Sequence, residues 1–256
     1  MNSKQYLTAS NQFGTYCVPA SSKHRVAASI VLSGRVWESR TINFMMANCG
    51  TGDIIHAGTY FGDFLPALSR ALDRDAIIWA FEPNTENFHC ATKTIELNGL
   101  ENVRLMNAAL GATAETMPLM IRKPDGSAAG GASRLVRHQR HRAAYEEVKL
   151  VPGDAVVPHD RKISILQLDV EGFELDALAG LVDTIRRCMP IMILENVPTE
   201  VWFHQHILTL NYELRGRVHA NSIFAPAGTQ LMGTFRKIHE GIPATQRQLA
   251  RRKQSR

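Results

Sequence analysis

Residues 54–62 read Ile-Ile-His-Ala-Gly-Thr-Tyr-Phe-Gly, and this stretch decides the fold class. Its apolar start predicts a buried strand over residues 53–57, and the two glycines place a turn directly after that strand. One helix length further on, a second apolar strand over residues 76–81 runs into Glu82. A glycine turn followed by an acid at the next strand end is typical of nucleotide-binding α/β sheets, where the acid accepts hydrogen bonds from ribose hydroxyls.

Strands and helices continue to alternate along the chain, which predicts a mostly parallel sheet with helices on both faces. Right-handed crossovers place the carboxyl ends of such strands at one edge, where ligands bind. Helices are predicted after the strands that end near residues 57, 81, 168 and 194, and the one after residue 169 should extend as a single helix to Ile185. Residues 122–143 interrupt the pattern and are predicted to form a loop or lid. Further strands are predicted over residues 103–106, 117–121, 163–168 and 191–194, with a closing hairpin over 212–218 and 222–226.

The length of 256 residues suits one α/β domain with extensions. We expect an N-terminal extension over residues 1–38, a catalytic domain over 39–235 and a basic C-terminal tail over 236–256. The tail carries seven basic side chains against Glu240 alone, a balance of +6, so the net charge of +5 leaves the rest near −1. The folded body therefore shows no bias toward nucleic acid.

Three further features of the sequence bear on the cellular compartment of the protein. The sequence has no apolar run long enough to cross a bilayer, and residues 1–20 lack the apolar block of a signal peptide. The four cysteines lie far apart and form no metal-type pair. A cytoplasmic protein with reduced thiols is the expectation.

Five motifs follow one another along the chain: His56–Gly62, Ala80–Asn84, Asn107–Leu110, Gly130–Ser133 and Leu168–Glu174. In this order they resemble the successive signatures of FkbM-type methyltransferases, over roughly residues 40–226. Their joint order is more specific than any one motif. The resemblance implies dependence on S-adenosylmethionine and the class I methyltransferase fold, a Rossmann-like three-layer α/β sandwich with a mostly parallel sheet and a C-terminal antiparallel hairpin.

The resemblance also implies cofactor contacts. The turn at residues 58–62 should wrap the methionine and ribose, and Glu82 should hold the ribose hydroxyls. Residues 107–108 should lie along the adenine, and residues 169–170 should line the floor near the sulfonium. The predicted cofactor-binding residues are Ala57, Gly58, Thr59, Tyr60, Gly62, Glu82, Pro83, Asn107, Ala108, Asp169 and Val170.

Three positions depart from the family pattern. The acid usual at the start of the first motif is His56, the Asn or Gly usual at its middle is Tyr60, and Gln167 replaces a common Lys. Asp63, just after the turn, is a candidate for the missing charge. A carboxylate favoured by the start of a helix explains Asp63 equally well.

Methyl transfer to a hydroxyl needs in-line positioning and a base that removes the proton. The predicted catalytic residues are Asp169, Glu171 and Glu195, and His204 is a further candidate base. Carboxylates at adjacent strand ends could also hold Mg²⁺. We do not favour a metal, because spacing alone does not bring three oxygens to one ion.

The best-supported prediction is a methyltransferase that uses S-adenosylmethionine to modify a hydroxyl of a sugar, a glycoconjugate or a secondary metabolite. Four arginines of the predicted lid, between residues 134 and 142, either recognise an anionic acceptor or form a solvated loop. The alternatives are an RNA methyltransferase that uses the basic tail, a nicotinamide-dependent oxidoreductase, and a binding module without activity. The sequence leaves the acceptor and homo-oligomer formation open.

Overall fold

The computed structural model describes residues 6–237, in which strands and helices alternate as the sequence predicts. The strands are β1 (Tyr6–Asn11), β2 (Gly14–Pro19), β3 (Asp53–Ala57), β4 (Ile78–Phe81), β5 (Val103–Met106), β6 (Ala109–Leu110), β7 (Glu115–Arg122), β8 (Arg134–Leu135), β9 (Ala144–Val151), β10 (Ile163–Leu168), β11 (Ile191–Leu194), β12 (Tyr212–Val218), β13 (Asn221–Pro226) and β14 (Arg236–Lys237). The helices are α1 (Val26–Leu32), α2 (Ser39–Asn48), α3 (Leu65–Ala71), α4 (Thr85–Asn98), α5 (Gly153–Val156), α6 (Glu174–Ala179), α7 (Val182–Cys188) and α8 (Val201–His206).

One sheet of eight strands runs through the centre of the described chain, in the order β14-β12-β13-β11-β10-β3-β4-β5. From β11 to β5 every neighbouring pair is parallel. Strand β13 is antiparallel to both β11 and β12. The predicted mostly parallel sheet with a C-terminal antiparallel hairpin is therefore confirmed.

The two faces of this sheet bury separate apolar clusters. Along β3, Ile54 belongs to one cluster and Ile55 to the other, because successive side chains of a strand point to opposite faces. The cluster around Ile54 contains side chains of α2 and α3, and the cluster around Ile55 contains side chains of α6, α7 and α8. Helices thus cover both faces, which confirms the three-layer sandwich.

A second sheet of four strands, in the order β6-β9-β7-β8, was not expected. The strand predicted over residues 117–121 lies in this sheet as β7, antiparallel to β9, and not in the central one. The predicted lid includes the short strand β8 and a 3₁₀ turn, Gly130–Ala132. The single helix predicted after β10 is wrong as well, since it divides at Gly180, where a Cβ would lie 2.0 Å from the carbonyl oxygen of Gly111.

The segment before residue 39 has more regular structure than its loose pattern predicted. Strands β1 and β2 form an antiparallel hairpin, and α1 follows. Side chains of α4 pair with the backbone of β2: Thr15 N donates to Asn98 Oδ1 (2.9 Å), Asn98 Nδ2 donates to Thr15 O (2.6 Å), and Cys17 N donates to Thr94 Oγ1 (3.0 Å). The hairpin is thereby held against α4. The boundary at residue 38 stays a prediction.

At the other end, Arg236 and Lys237 form β14 at the edge of the central sheet, and the rest of the predicted basic tail lies outside the described residues. The longest helix between residues 6 and 237 is α4, with 14 residues. In that part of the chain no helix has both the length and the apolar composition needed to cross a membrane.

Candidate active site

The carboxyl ends of the parallel strands meet at one edge of the central sheet, as predicted. Backbone hydrogen bonds fix the first residue after each strand against its neighbour. Gly58 N donates to Phe81 O (3.0 Å), and Asp169 N donates to Ala57 O (3.0 Å). Glu195 N donates likewise to the carbonyl oxygen of the last residue of β10 (3.1 Å). The glycine turn and the acids therefore lie at the same edge of the sheet.

Gly58 is required by packing. Its φ is +85°, a conformation that favours glycine, and a Cβ placed there would lie 1.8 Å from the carbonyl oxygen of Asp169. A backbone carbonyl cannot move aside in the way that a flexible side chain can. Glycine thus lets β10 approach the turn closely enough to present Asp169 beside it.

Glu82 is buried at the end of β4, with 4% of its surface exposed. Tyr60 N donates to Oε2 (2.7 Å), and Asn84 N donates to Oε1 (2.9 Å). The Asn87 side chain is a third donor, to Oε1 (3.3 Å). Burial raises the pKa of Glu82 to about 8, although these three donors act against that rise. A carboxylate can accept about four hydrogen bonds, so Glu82 keeps capacity for a ligand.

A narrow cleft, called here the strand-end cleft, opens between Glu82 and Asp169. Its free volume is about 40 Å³. Of the predicted cofactor-binding residues, its walls contain Ala57, Gly58, Tyr60, Glu82, Pro83, Asp169 and Val170. The sequence assigned no role to its other wall residues, which are Phe81, Asn87, Ala109, Leu110, Leu119, Gly130, Gly131, Ser133, Leu135 and Phe173.

The remaining predicted cofactor-binding residues have other contacts in this structure. Thr59 is fully buried and its hydroxyl donates to His56 O (3.2 Å). Gly62 packs against α4, and Ala108 is buried. Asn107 Nδ2 donates to the carbonyl oxygens of residues 82 and 83 (2.9 and 3.0 Å), so this side chain holds the turn after β4.

Tyr60 closes one end of the cleft. Its backbone has a φ of 53°, unusual for a residue with a side chain, and its hydroxyl is hydrogen-bonded to Ser22 Oγ (2.7 Å). A Cβ added to Gly131 would lie 3.3 Å from the Tyr60 ring, so the lid segment rests directly on this ring. Tyr60 therefore joins the N-terminal segment, the glycine turn and the lid.

A larger space, called here the adjoining cavity, lies beyond Tyr60 and has a volume of about 360 Å³. Gly58, Tyr60, Gly131 and Asp169 line it as well as the cleft, so the two spaces adjoin. Part of its wall comes from residues before the domain boundary, which the sequence did not single out. These are His24, Arg25, Val26, Ala27, Trp37 and Glu38.

The three predicted catalytic carboxylates converge on this cavity. Each of Asp169, Glu171 and Glu195 offers one oxygen, and these oxygens lie within 4.8 Å of one another. Burial, followed by the charge of Glu195, raises the pKa of Asp169 well above its ordinary value and also raises the pKa of Glu171. This spacing would let the three share one cation, but acids often cluster without one. His204 lies on α8 and is not among the cavity residues.

Three non-glycine residues with left-handed backbone also line the adjoining cavity. They are Glu38, Tyr60 and Glu171, with φ values of 45°, 53° and 53°. Such backbone costs about 1–3 kcal/mol per residue and clusters at functional sites. The cavity therefore has the features of a ligand site.

The model of the FkbM methyltransferase domain matches residues 56–217. No curated protein matches the chain.

Several solved structures of methyltransferases are similar to this chain. The FkbM methyltransferase from Methylobacillus flagellatus has 16% identity and a TM-score of 0.48; the match covers 68% of this chain and 43% of that protein. A methyltransferase from Geobacter sulfurreducens has 14% identity and a TM-score of 0.44; the match covers 84% of this chain and 88% of that protein. An S-adenosylmethionine-dependent methyltransferase from Aquifex aeolicus has 12% identity and a TM-score of 0.38; the match covers 73% of this chain and 87% of that protein.

This chain thus spans less than half the length of the Methylobacillus protein. The family model, in contrast, covers more than half of this chain and includes the glycine turn, Glu82 and all three catalytic candidates. The protein belongs to the FkbM methyltransferase family.

Proposed function

We propose that this protein is an S-adenosylmethionine-dependent O-methyltransferase that acts on a hydroxyl of a sugar, a glycoconjugate or a secondary metabolite. The observation that carries the proposal is the continuity of two spaces at one sheet edge. The strand-end cleft contains the buried carboxylate of Glu82, and the adjoining cavity contains the three clustered carboxylates. Asp169 lines both, as expected where two reactants meet.

The residues of the cleft suit a nucleoside. A ribose hydroxyl could use the remaining acceptor capacity of Glu82, whose position is set by the backbone N–H groups of Tyr60 and Asn84. Leu119, Leu135 and other apolar side chains provide surface for a base. The cleft as it stands is too small, since pockets for such ligands measure about 300–1,000 Å³. We infer that the lid at Gly130–Ser133 moves away from the Tyr60 ring to admit the cofactor.

When bound, S-adenosylmethionine would supply an electrophilic methyl group. Asp169 would accept the proton of the acceptor hydroxyl at its carboxylate, because a raised pKa makes it a stronger base than an exposed aspartate. Glu195 shares this corner and stabilises the protonated form of its neighbour. Glu171 completes the set of oxygens that could orient a hydroxyl.

The charge of the adjoining cavity favours a neutral or cationic acceptor. Glu38, Asp63 and the three catalytic candidates line it, while Arg25 is the one arginine among the described residues that do so. A phosphate group would therefore meet net repulsion. This supports a hydroxylated small molecule over RNA. The lid arginines do not line this cavity, although the charge of Arg134 acts to lower the pKa of Glu171.

The test is methyl transfer from S-adenosylmethionine labelled in its methyl group to a panel of neutral saccharides and hydroxylated metabolites. The expected result is a label in an O-methyl ether, with Glu82→Gln as the impaired control. Calorimetry with S-adenosylhomocysteine checks cofactor binding separately. Label found only on nitrogen or RNA would contradict the acceptor class, and no binding of S-adenosylhomocysteine would contradict the proposed function as a whole.

A further inference from the structure

Two asparagines at the start of α4 contact both Glu82 and the lid. Asn84 N donates to Glu82 Oε1 (2.9 Å), and the side-chain Nδ2 of the same residue donates to Ser133 Oγ (3.1 Å). Asn87 Nδ2 carries two protons and donates to Glu82 Oε1 (3.3 Å) and to Gly130 O (3.2 Å). The two hydrogen bonds to the lid, from Asn84 to Ser133 and from Asn87 to Gly130, are called here the latch.

The latch lies in a buried setting. Asn84 and Asn87 have only 5% and 2% of their surface exposed. A buried polar group that loses its partner costs more than an exposed one, because little water can replace the lost bond. Ser133 Oγ also donates to Gly130 O (2.8 Å), which ties the two lid residues of the latch to each other. The latch therefore favours the closed position of the lid.

Gly130 allows the lid to lie this close to the N-terminal segment. Its φ is +58°, and a Cβ placed there would lie 2.8 Å from Ser22 Cβ and 3.0 Å from the hydroxyl oxygen of Tyr60. A side chain at this position would push the lid away from both residues. Closure thus depends on a glycine as well as on the latch.

The same lid residues line both spaces of the candidate site. Gly130, Gly131 and Ser133 line the strand-end cleft, and Gly131 and Ala132 line the adjoining cavity. With the lid closed, the cleft has a free volume of about 40 Å³, too small for a nucleoside. The position of these four residues therefore decides whether a ligand reaches Glu82.

We propose that Asn84 and Asn87 hold the lid closed over the cofactor site, so that release of the latch sets the rate of cofactor entry. This inference rests on the proposed function. Because both asparagines also donate to Glu82, the carboxylate that would bind the ribose orients the residues that hold the lid. Asn84 and Asn87 are positioning residues, and they couple closure of the lid to the geometry of Glu82.

The first test measures hydrogen exchange of the lid amides over residues 129–133 by mass spectrometry, without any ligand. Gly130→Ala should exchange at least about tenfold faster than the unaltered protein, because its Cβ keeps the lid from closing and both latch bonds are lost. Gly126→Ala is the matched control, since Gly126 also has a left-handed φ, of +81°, and its Cβ would meet nothing within 4 Å. It should change the exchange by less than about twofold.

Two further variants test the latch and its link to Glu82. Ser133→Ala removes one latch bond and should speed the exchange of the lid about threefold to tenfold, as expected for one ordinary hydrogen bond. It carries the test if Gly130→Ala does not fold. Glu82→Ala lies outside the lid but removes the acceptor that orients the Asn87 amide, so lid exchange should again rise about threefold to tenfold. Unchanged exchange in Glu82→Ala would overturn the coupling.

The second test follows the binding of S-adenosylhomocysteine by stopped-flow tryptophan fluorescence. In the unaltered protein, the observed rate should level off at high ligand concentration, because opening of the lid becomes limiting. Ser133→Ala should raise that limit by the same factor as it raises lid exchange, whereas Gly126→Ala should leave it unchanged. Equal exchange and equal binding rates in Gly130→Ala, Ser133→Ala and Gly126→Ala would overturn the latch and leave the proposed function standing. No binding to the unaltered protein would overturn both.

Discussion

Replacing Gly58 by alanine should destabilise the fold itself, and Gly126→Ala provides a matched control. The two glycines have nearly the same backbone conformation, with φ values of +85° and +81°. A Cβ on Gly126 would meet nothing within 4 Å, so its variant loses only about 1–2 kcal/mol for the left-handed conformation. Gly58→Ala incurs the same loss and also the collision with the carbonyl oxygen of Asp169.

The collision can be relieved only if the turn and β10 move apart. That movement breaks the hydrogen bond from Asp169 N to Ala57 O and disturbs the one from Gly58 N to Phe81 O, both 3.0 Å long. A buried polar group that loses its partner costs about 1–3 kcal/mol. We therefore expect Gly58→Ala to lose at least about 3 kcal/mol in total, clearly more than the control.

Urea unfolding followed by tryptophan fluorescence measures both losses, and the difference between the variants isolates the collision. If Gly58→Ala yields no folded protein while Gly126→Ala folds, the prediction holds in its strongest form. Equal losses in the two variants would refute the packing argument. In that case, a folded Gly58→Ala protein that no longer bound S-adenosylhomocysteine would assign the glycine to the ligand alone.

Four other predictions concern particular side chains. Asp53→Asn should lower the free energy of unfolding by about 2–4 kcal/mol in urea titrations. The reason is that the buried Asp53 carboxylate accepts hydrogen bonds from Arg161, Trp79 Nε1 and Ile77 N. The control is Lys93→Ala, which removes an exposed ion pair and should change the stability little. The pKa of Glu82 is raised to about 8, and ribose hydroxyls prefer the ionised carboxylate. The affinity for S-adenosylhomocysteine should therefore rise by up to about tenfold per pH unit towards pH 8 and then level off. An affinity that depends on pH just as steeply in Glu82→Gln would exclude Glu82 as the cause. The same raised pKa means that Glu82 destabilises the fold increasingly as the pH rises from the pKa of this side chain in the unfolded chain towards 8. Over that range, the stability of Glu82→Gln should therefore increase relative to that of the unaltered protein. Asp169→Asn and Glu195→Gln should each lower turnover by about 10²–10⁴-fold while the Kd of S-adenosylhomocysteine stays within about threefold, and full activity in both variants would place the chemistry elsewhere.

Local signals made the central sheet predictable. The apolar run over Asp53–Ala57 gave the bounds of β3, because a fully buried strand has no polar face to interrupt it. The residue types at the two ends of α4 are also ones that favour helix ends: the Asn84 side chain accepts a hydrogen bond from Asn87 N (3.0 Å), and Gly99 adopts a φ of 60°. Each of these choices depends on neighbours within a few residues.

The features that the sequence did not predict depend on distant contacts. The break at Gly180 exists because Gly111 packs against it, and no local pattern records that approach. The pairing of β9 with β7 and the wall formed by Arg25 and Trp37 likewise join segments far apart in the chain. The convergence of the acids at the strand ends was predictable because topology alone fixes it, whereas the shape of the cavity was not.

The pairing of the N-terminal hairpin with α4 places the segment that follows the hairpin at the wall of the adjoining cavity. Residues 24–38 contribute much of one cavity wall, yet they precede residue 56, where the family signature starts. The hairpin that precedes them is anchored by hydrogen bonds from Thr15 and Cys17 of β2 to Asn98 and Thr94 of α4. Under the proposed function, sequence differences within residues 24–38 would change which acceptors fit the adjoining cavity, while the residues at the strand ends remain the same. Exchanging this segment between relatives offers an engineering route to new selectivity.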